Sequence, residues 1–107
     1  MSRSKLTAIQ QAKVELAACF RLTAKMDMHE SIANHFSVAV SDDGQQFLCN
    51  PQGRHFSTIK ASELLLLDAN NPDTMNQANA PDPTTWAIHG ALHRDFADAR
   101  CIMHLHP

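Results

Sequence analysis

The chain has 107 residues, of which 44% are hydrophobic and 19% are charged, and its formal net charge is −2. This size and composition predict at most one small globular domain and exclude an intrinsically disordered chain. The nine Lys and Arg residues are scattered, so no basic stripe indicates a nucleic-acid partner.

The sequence carries no membrane or secretion signal. Its longest apolar run, Leu64–Leu67, is far too short to span a membrane, and the N-terminus lacks the apolar stretch of a signal peptide. Three cysteines at irregular spacing, Cys19, Cys49 and Cys101, argue against a disulfide framework. We therefore expect a cytoplasmic protein with reduced thiols.

The first half of the chain reads as a helix followed by a hairpin. Apolar residues recur at steps of three and four over 4–27, which predicts an amphipathic helix. The β-prone stretch 34–40 is followed by turn residues at 41–44 and by a second apolar stretch at 46–50, so a β-hairpin is predicted. The Asn-Pro-Gln-Gly sequence at 50–53 predicts a tight turn.

The second half predicts two more strands and one more helix. Residues 57–63 favour a single helical turn, and the unbroken apolar run in 64–68 favours a strand covered on both faces. The Pro- and Asn-rich stretch 69–83 predicts a long surface loop. An Asp-Pro pair opens a predicted helix over 82–96, and 100–106 reads as a strand.

The last strand carries two histidines on one face. Side chains alternate along a strand, so His104 and His106 lie on the same side as Ile102, about 6.6 Å apart. Two imidazoles at that separation can converge on one zinc ion, although catalytic zinc normally takes three protein ligands. The alternative is that both are polar residues at the solvent end of an edge strand. The opposite face, with Cys101, Met103 and Leu105, is expected to pack against a helix.

A second histidine pair, His89 and His93, lies at i and i+4 on the predicted second helix. Metalloprotease helices use this spacing with a glutamate directly after the first histidine. Gly90 occupies that position, which excludes a protease of this kind. We expect one of the two rings to be half-buried and the other exposed.

Five stretches, in this order, resemble the class II aldolase/adducin family: NHFSV (34–38), NPQG (50–53), SELLLLDAN (62–70), PTTWAIHGALHRDFADAR (83–100) and CIMHLHP (101–107). The resemblance implies an α/β fold with three layers, α/β/α, around a mostly antiparallel sheet, and a homo-oligomer when full length. It covers only the family's first half. Residues 1–107 are therefore expected to be the N-terminal part of a single, truncated domain.

The resemblance also implies a zinc-dependent lyase that cleaves a small sugar-type hydroxycarbonyl substrate. The metal ligands would be His104 and His106, with a third ligand expected beyond Pro107. The family's acid/base glutamate corresponds to Thr85, and threonine cannot shuttle a proton at neutral pH. His35 or His89 would have to act as the base instead.

The substrate-binding residues implied by the resemblance are Asn34, Ser37, Gly53 and Thr84. The family's Ser-Ser pair is Pro-Thr here, and proline offers no N–H to a substrate phosphate. Two hypotheses therefore stay open. One is a metal-dependent lyase, favoured by the His-x-His pair, and the other is a non-catalytic, adducin-like assembly or binding domain, favoured by Thr85.

Overall fold

The computed structural model describes residues 3–28 and 34–105. Its two helices and four strands are, in chain order, α1 (Arg3–Lys25), β1 (His35–Ala39), β2 (Gln46–Cys49), β3 (Leu65–Asp68), α2 (Pro83–Asp95) and β4 (Cys101–His104). Short 3-10 turns lie at Phe56–Thr58, Ala61–Glu63 and Pro72–Met75. All six predicted regular elements are present, with ends that differ from the predicted ones by a few residues.

The four strands form one sheet in the order β3-β2-β1-β4, and every neighbouring pair is antiparallel. The predicted hairpin is confirmed, with Val38 opposite Leu48. Its turn is closed by the Gly44 N–H, which donates to the Ser41 carbonyl at 3.1 Å. Strand β4 pairs with β1 at the outer edge.

Helix α1 covers one face of the sheet. Its Leu16 and Phe20 are buried in a core with residues of β1, of β2 and of the segment between β2 and β3. The Phe20 ring stacks on Phe36 at a centroid distance of 5.0 Å and meets Phe56 edge-on at 4.6 Å. The aromatic contacts therefore fasten the helix to β1 and to the turn that follows β2.

Helix α2 covers the opposite face, over a second buried cluster formed by Phe47, Cys49, Leu67 and Ala69. A Cβ added at Gly90 would lie 3.1 Å from the Ala69 Cβ, so the glycine lets the helix approach the sheet closely. The Trp86 Nε1–H donates to the Asp68 carbonyl at 2.9 Å and ties the helix to β3. The three-layer α/β/α arrangement with an antiparallel sheet is thus confirmed.

Two local expectations were wrong. In place of one helical turn over 57–63, the chain forms two separate 3-10 turns, Phe56–Thr58 and Ala61–Glu63. On β4, Leu105 packs against the α1-side core, but Met103 is 48% exposed and Cys101 is exposed as well. The reason is that β4 is the outermost strand, so part of its apolar face extends past the covering helix.

Two further observations concern the whole described chain. Within residues 3–28 and 34–105, neither helix is long and apolar enough to cross a membrane. All three cysteines are free. Burial raises the pKa of the Cys49 thiol to about 12, so this side chain acts as an inert apolar group in the core.

Candidate functional site

A polar cleft opens where β1 begins, β2 ends and α2 begins. Its lining comes from three segments that are distant in sequence: Asn34, His35, Asn50, Gln52, Gly53, Arg54, Pro81, Asp82 and Thr85. The antiparallel pairing of β1 and β2 brings the first two segments together, because the start of one strand lies beside the end of the other. The sheet register therefore creates the cleft.

The Asn50 side chain holds the two strand ends in place. Its Oδ1 accepts the Phe36 N–H at 3.1 Å, and its Nδ2 donates to the Asn34 carbonyl at 3.5 Å. Asn34 itself is only 2% exposed. Neither Oδ1 nor Nδ2 of Asn34 has a hydrogen-bond partner among the described residues. An unpaired buried amide costs about 1–3 kcal/mol, so this group is suited to receive a ligand.

The turn after β2 forms the floor of the cleft. Gly53 has φ 77°, a left-handed conformation that side-chain-bearing residues adopt only at a cost. A Cβ at this position would meet nothing within 4 Å. The glycine is thus required by the backbone conformation alone, and the space above it stays open to a ligand.

Charges of both signs border the cleft. The Arg54 guanidinium forms an ion pair with Glu63. The Lys60 backbone N–H and, to a smaller extent, Arg54 lower the pKa of the Glu63 carboxyl. Asp82 lies at the start of α2, where its Oδ1 accepts the Thr85 N–H at 2.8 Å, as the Asp-Pro signal predicts. This carboxylate already occupies the helix N-terminus, which therefore disfavours an anion there.

Threonines 84 and 85 differ in their placement. Thr85, for which the sequence resemblance implied the position of a glutamate, is 3% exposed and lines the cleft. Thr84 is exposed on the first turn of α2 and does not line the cleft.

Beside the cleft, α2 faces β1 with two buried histidines. His89 and His93 are both 0% exposed, so the expectation of one half-buried and one exposed ring was wrong. Their shared helix face points at the sheet, and Ser37 of β1 meets both rings. The Ser37 Oγ lies 2.5 Å from His89 Nδ1 and 2.7 Å from His93 Nε2. His93 Nδ1 lies 2.8 Å from the Ala99 carbonyl oxygen.

The same hydrogen-bonded series continues outward to the sheet edge. His89 Nε2 lies 2.5 Å from His35 Nδ1, and His35 Nε2 lies 3.0 Å from His104 Nδ1. The last contact exists because the β1–β4 register places His104 directly opposite His35. We call the series Ala99–His93–Ser37–His89–His35–His104 the histidine chain.

Burial controls the protonation of the inner rings. It lowers the pKa of His89 to about 3, with smaller contributions from neighbouring His35, His93 and His104. Burial also lowers the pKa of His93, against the opposing effect of its hydrogen bond to the Ala99 carbonyl. Both inner rings are therefore neutral at physiological pH.

The predicted site residues thus fall into three groups. Asn34, His35, Gly53 and Thr85 meet at the cleft, whereas Ser37 and His89 are buried behind it. His104 stands at the outer end of the histidine chain. His106 lies outside the described residues. In the described part of the chain, no group of three or more His, Cys, Asp or Glu side chains is arranged to hold a metal ion.

The sequence interpretation did not single out Asn50 and Arg54 as site residues. Both flank the Pro-x-Gly turn, and polar residues beside a turn that approaches a ligand are the signal that could have identified them.

Comparisons with known proteins agree with this architecture. The sequence profile of the class II aldolase and adducin N-terminal domain matches residues 14–107. A protein of Pseudomonas aeruginosa, provisionally named as a class 2 aldolase, is 36% identical over 96 residues, covering 90% of this chain and 37% of the relative. An adducin-related protein of Schizosaccharomyces pombe is 34% identical over 100 residues, covering 88% of this chain and 31% of the relative.

A solved structure has the same fold. L-fuculose 1-phosphate aldolase from Glaciozyma antarctica superimposes with a TM-score of 0.83, covering 99% of this chain and 44% of that one, at 21% sequence identity. The chain therefore belongs to the class II aldolase and adducin family. It spans about a third of the length of the two sequence relatives, 37% and 31%.

Proposed function

We propose that this chain supplies the substrate cleft of a class II aldolase-like lyase, and that the cleft takes a small hydroxycarbonyl compound. The observation that carries the proposal is the buried Asn34 amide beside the cleft, which has no hydrogen-bond partner among residues 3–28 and 34–105. Its Nδ2–H can donate to a carbonyl or hydroxyl oxygen, and its Oδ1 can accept a hydroxyl proton. Arg54, on the other side, can donate to a further oxygen of the ligand.

The charges at the cleft narrow the ligand class. Asp82 occupies the α2 N-terminus, and the residue after it, Pro83, has no N–H to offer. An anionic group at that point would meet a carboxylate instead of free amides. We therefore favour an uncharged hydroxycarbonyl compound, or one whose anionic group lies on the Arg54 side.

Zinc fits the donor chemistry of the sheet edge. His104 is exposed on β4, and its Nδ1 is engaged with His35, which is how ring nitrogens opposite a metal-binding nitrogen are usually held. In this proposal His104 and His106 would hold the ion together with a ligand outside the described residues. When bound, zinc would polarise a substrate carbonyl as a Lewis acid.

The proton-transfer role falls on His35 in this proposal. Thr85 at the cleft has no suitable pKa, and His89 is fully buried with both ring nitrogens hydrogen-bonded. His35 lines the cleft. Its Nε2 lies 3.0 Å from Nδ1 of the exposed His104 ring, and it can accept a substrate proton when that hydrogen bond opens.

Ligand binding can be tested directly on this chain. On titration with dihydroxyacetone, the NMR signals of the Asn34 side-chain amide are expected to shift, and Asn34→Ala is expected to abolish binding. Dihydroxyacetone phosphate provides a charged comparison. Asn76→Ala, which removes an exposed amide that does not line the cleft, is the matched control. If neither compound perturbs the Asn34 signals, the cleft is not a hydroxycarbonyl site.

A longer form that continues past Pro107 would allow a test of chemistry. Thr85→Glu is expected to raise aldol cleavage above a low baseline, because it restores a carboxyl group at the cleft. Equal, sizeable turnover with either residue would show that another group, with His35 first in line, carries the proton.

A non-catalytic role is the second candidate. The adducin-related relative and the threonine at position 85 favour it. In that case the family fold serves self-association or partner binding in the full-length protein. Ligand binding at Asn34 without any turnover in the longer form, together with stable oligomers by light scattering, would support this alternative.

A further inference from the structure

The histidine chain has one fixed end. The Ala99 carbonyl can only accept a hydrogen bond, so His93 must carry its proton on Nδ1. Because burial keeps this ring neutral, its Nε2 then bears a lone pair. The Ser37 hydroxyl, 2.7 Å from that nitrogen, must therefore donate to it.

The direction of every following hydrogen bond is then determined. With its proton given to His93, the Ser37 oxygen accepts from His89 Nδ1–H. Neutral His89 thus has a lone pair on Nε2, which accepts from His35 Nδ1–H. Where His35 is also neutral, the same step repeats once more, and its Nε2 accepts from His104 Nδ1–H.

We propose that His93, Ser37 and His89 are positioning residues. The Ala99 carbonyl can only accept a hydrogen bond, and these three residues transmit that constraint outward. As a result, His35 and His104 both carry their proton on Nδ1 and a lone pair on Nε2. The proposed function uses both outer nitrogens: His104 Nε2 as a metal ligand, and His35 Nε2 as a proton acceptor when its hydrogen bond to His104 opens. The use of the lone pairs rests on that proposed function, whereas the tautomers themselves do not.

Two features of the molecule support a fixed direction for the hydrogen bonds of the histidine chain. Three of the five side chains in the chain, Ser37, His89 and His93, are 0% exposed, which removes water as an alternative partner. The histidine chain also connects three elements that are distant in sequence, namely α2, β1 and β4. A reversed series would place a second proton on His93, a buried cation beside Arg100, which burial strongly opposes.

The tautomers can be measured on the 107-residue protein by long-range proton–nitrogen NMR of the imidazole rings, at a pH well above the ordinary pKa of histidine. In the wild type, His35, His89, His93 and His104 are all expected to show a protonated Nδ1 and an unprotonated Nε2. Free imidazole side chains prefer the other tautomer, so this pattern is distinctive.

Removing the Ser37 hydroxyl should affect the rings on its two sides differently. In Ser37→Ala, His93 is expected to keep its Nδ1 proton, while His35, His89 and His104 lose the constraint and gain the Nε2–H form. Ser57→Ala is the matched control, because it removes a serine that contacts His55 Nδ1 at 2.7 Å outside the chain.

A second variant gives an independent result if Ser37→Ala folds poorly. In His93→Phe the Ser37 hydroxyl loses its acceptor and can donate to His89 Nδ1 instead. The rings of His89, His35 and His104 are then all expected to switch to the Nε2–H form. Unchanged outer tautomers in both variants would overturn the proposed transmission.

Zinc alone, added to the same samples, separates this inference from the proposed function. The wild type is expected to respond at His104 Nε2, with about tenfold weaker binding in Ser37→Ala. An Nε2–H form of His35 or His104 in the wild type would overturn the inference whatever zinc does. The expected tautomers without any zinc response would support the inference and count against the metal part of the proposed function.

Discussion

Mild acid is expected to destabilise this protein through the buried ring of His89. In the folded state its pKa lies at about 3, against an ordinary value of 6.5, so the ring stays neutral where an unfolded chain would bind a proton. A depressed folded pKa means that the unfolded state gains more protons as the pH falls. The stabilising contribution is therefore complete above pH 6.5 and is lost as the pH falls toward 3.

The magnitude follows from these two pKa values. Linkage predicts a loss of about 2 kcal/mol in the free energy of unfolding between pH 7.5 and pH 5, from His89 alone. His93 acts in the same direction, because its folded pKa is also lowered. Unperturbed carboxyl groups titrate mainly below pH 5, so this interval isolates the histidines.

Urea unfolding at a series of pH values measures the effect. Trp86 is the single tryptophan of the chain and packs against the core beneath α2, so its fluorescence reports the transition. His89→Leu is expected to remove about 2 kcal/mol of the pH dependence between 7.5 and 5 and to leave the His93 part, while His55→Gln, which replaces an exposed histidine, should leave it unchanged. A free energy of unfolding that is constant over this range, or a His89 ring that titrates near pH 6.5, would refute the reasoning.

Substitutions at four further positions test the packing and the α2 N-cap by urea unfolding at neutral pH. Gly44→Ala should cost about 3 kcal/mol or more, because φ is 75° and an added Cβ would run into the His93 carbonyl. Gly53→Ala, with a similar φ of 77° but open space, should cost only about 1 kcal/mol; equal costs at the two glycines would contradict the steric argument. Phe20→Ala should cost about 3–5 kcal/mol through loss of the aromatic core, and a cost below 1 kcal/mol would show that α1 is not anchored there. Asp82→Ala should cost about 1 kcal/mol as a lost N-cap, and Asp82→Asn, which keeps an acceptor oxygen, should recover most of it.

Local signals in the sequence determined the elements and the family. The Asp-Pro pair predicts the start of α2 because a carboxylate can accept the Thr85 N–H while proline needs no partner for its missing donor. The turn residues between two β-prone stretches predict the β1–β2 hairpin for a similar local reason. The five ordered stretches identify the class II aldolase and adducin family without any structure.

The histidine chain could be decided only by the tertiary structure. Helical spacing puts His89 and His93 on one side of α2, and strand alternation puts His35 and Ser37 on one side of β1. Neither pattern tells which side of the helix meets which side of the sheet. The register of β4 adds His104, placed opposite His35 by pairing between residues 69 positions apart. Packing of the layers thus turned two predicted bases and a predicted ligand into members of one hydrogen-bonded series that runs from the buried α2–β1 contact to the exposed sheet edge, because side-chain contact depends on how whole elements pack against each other.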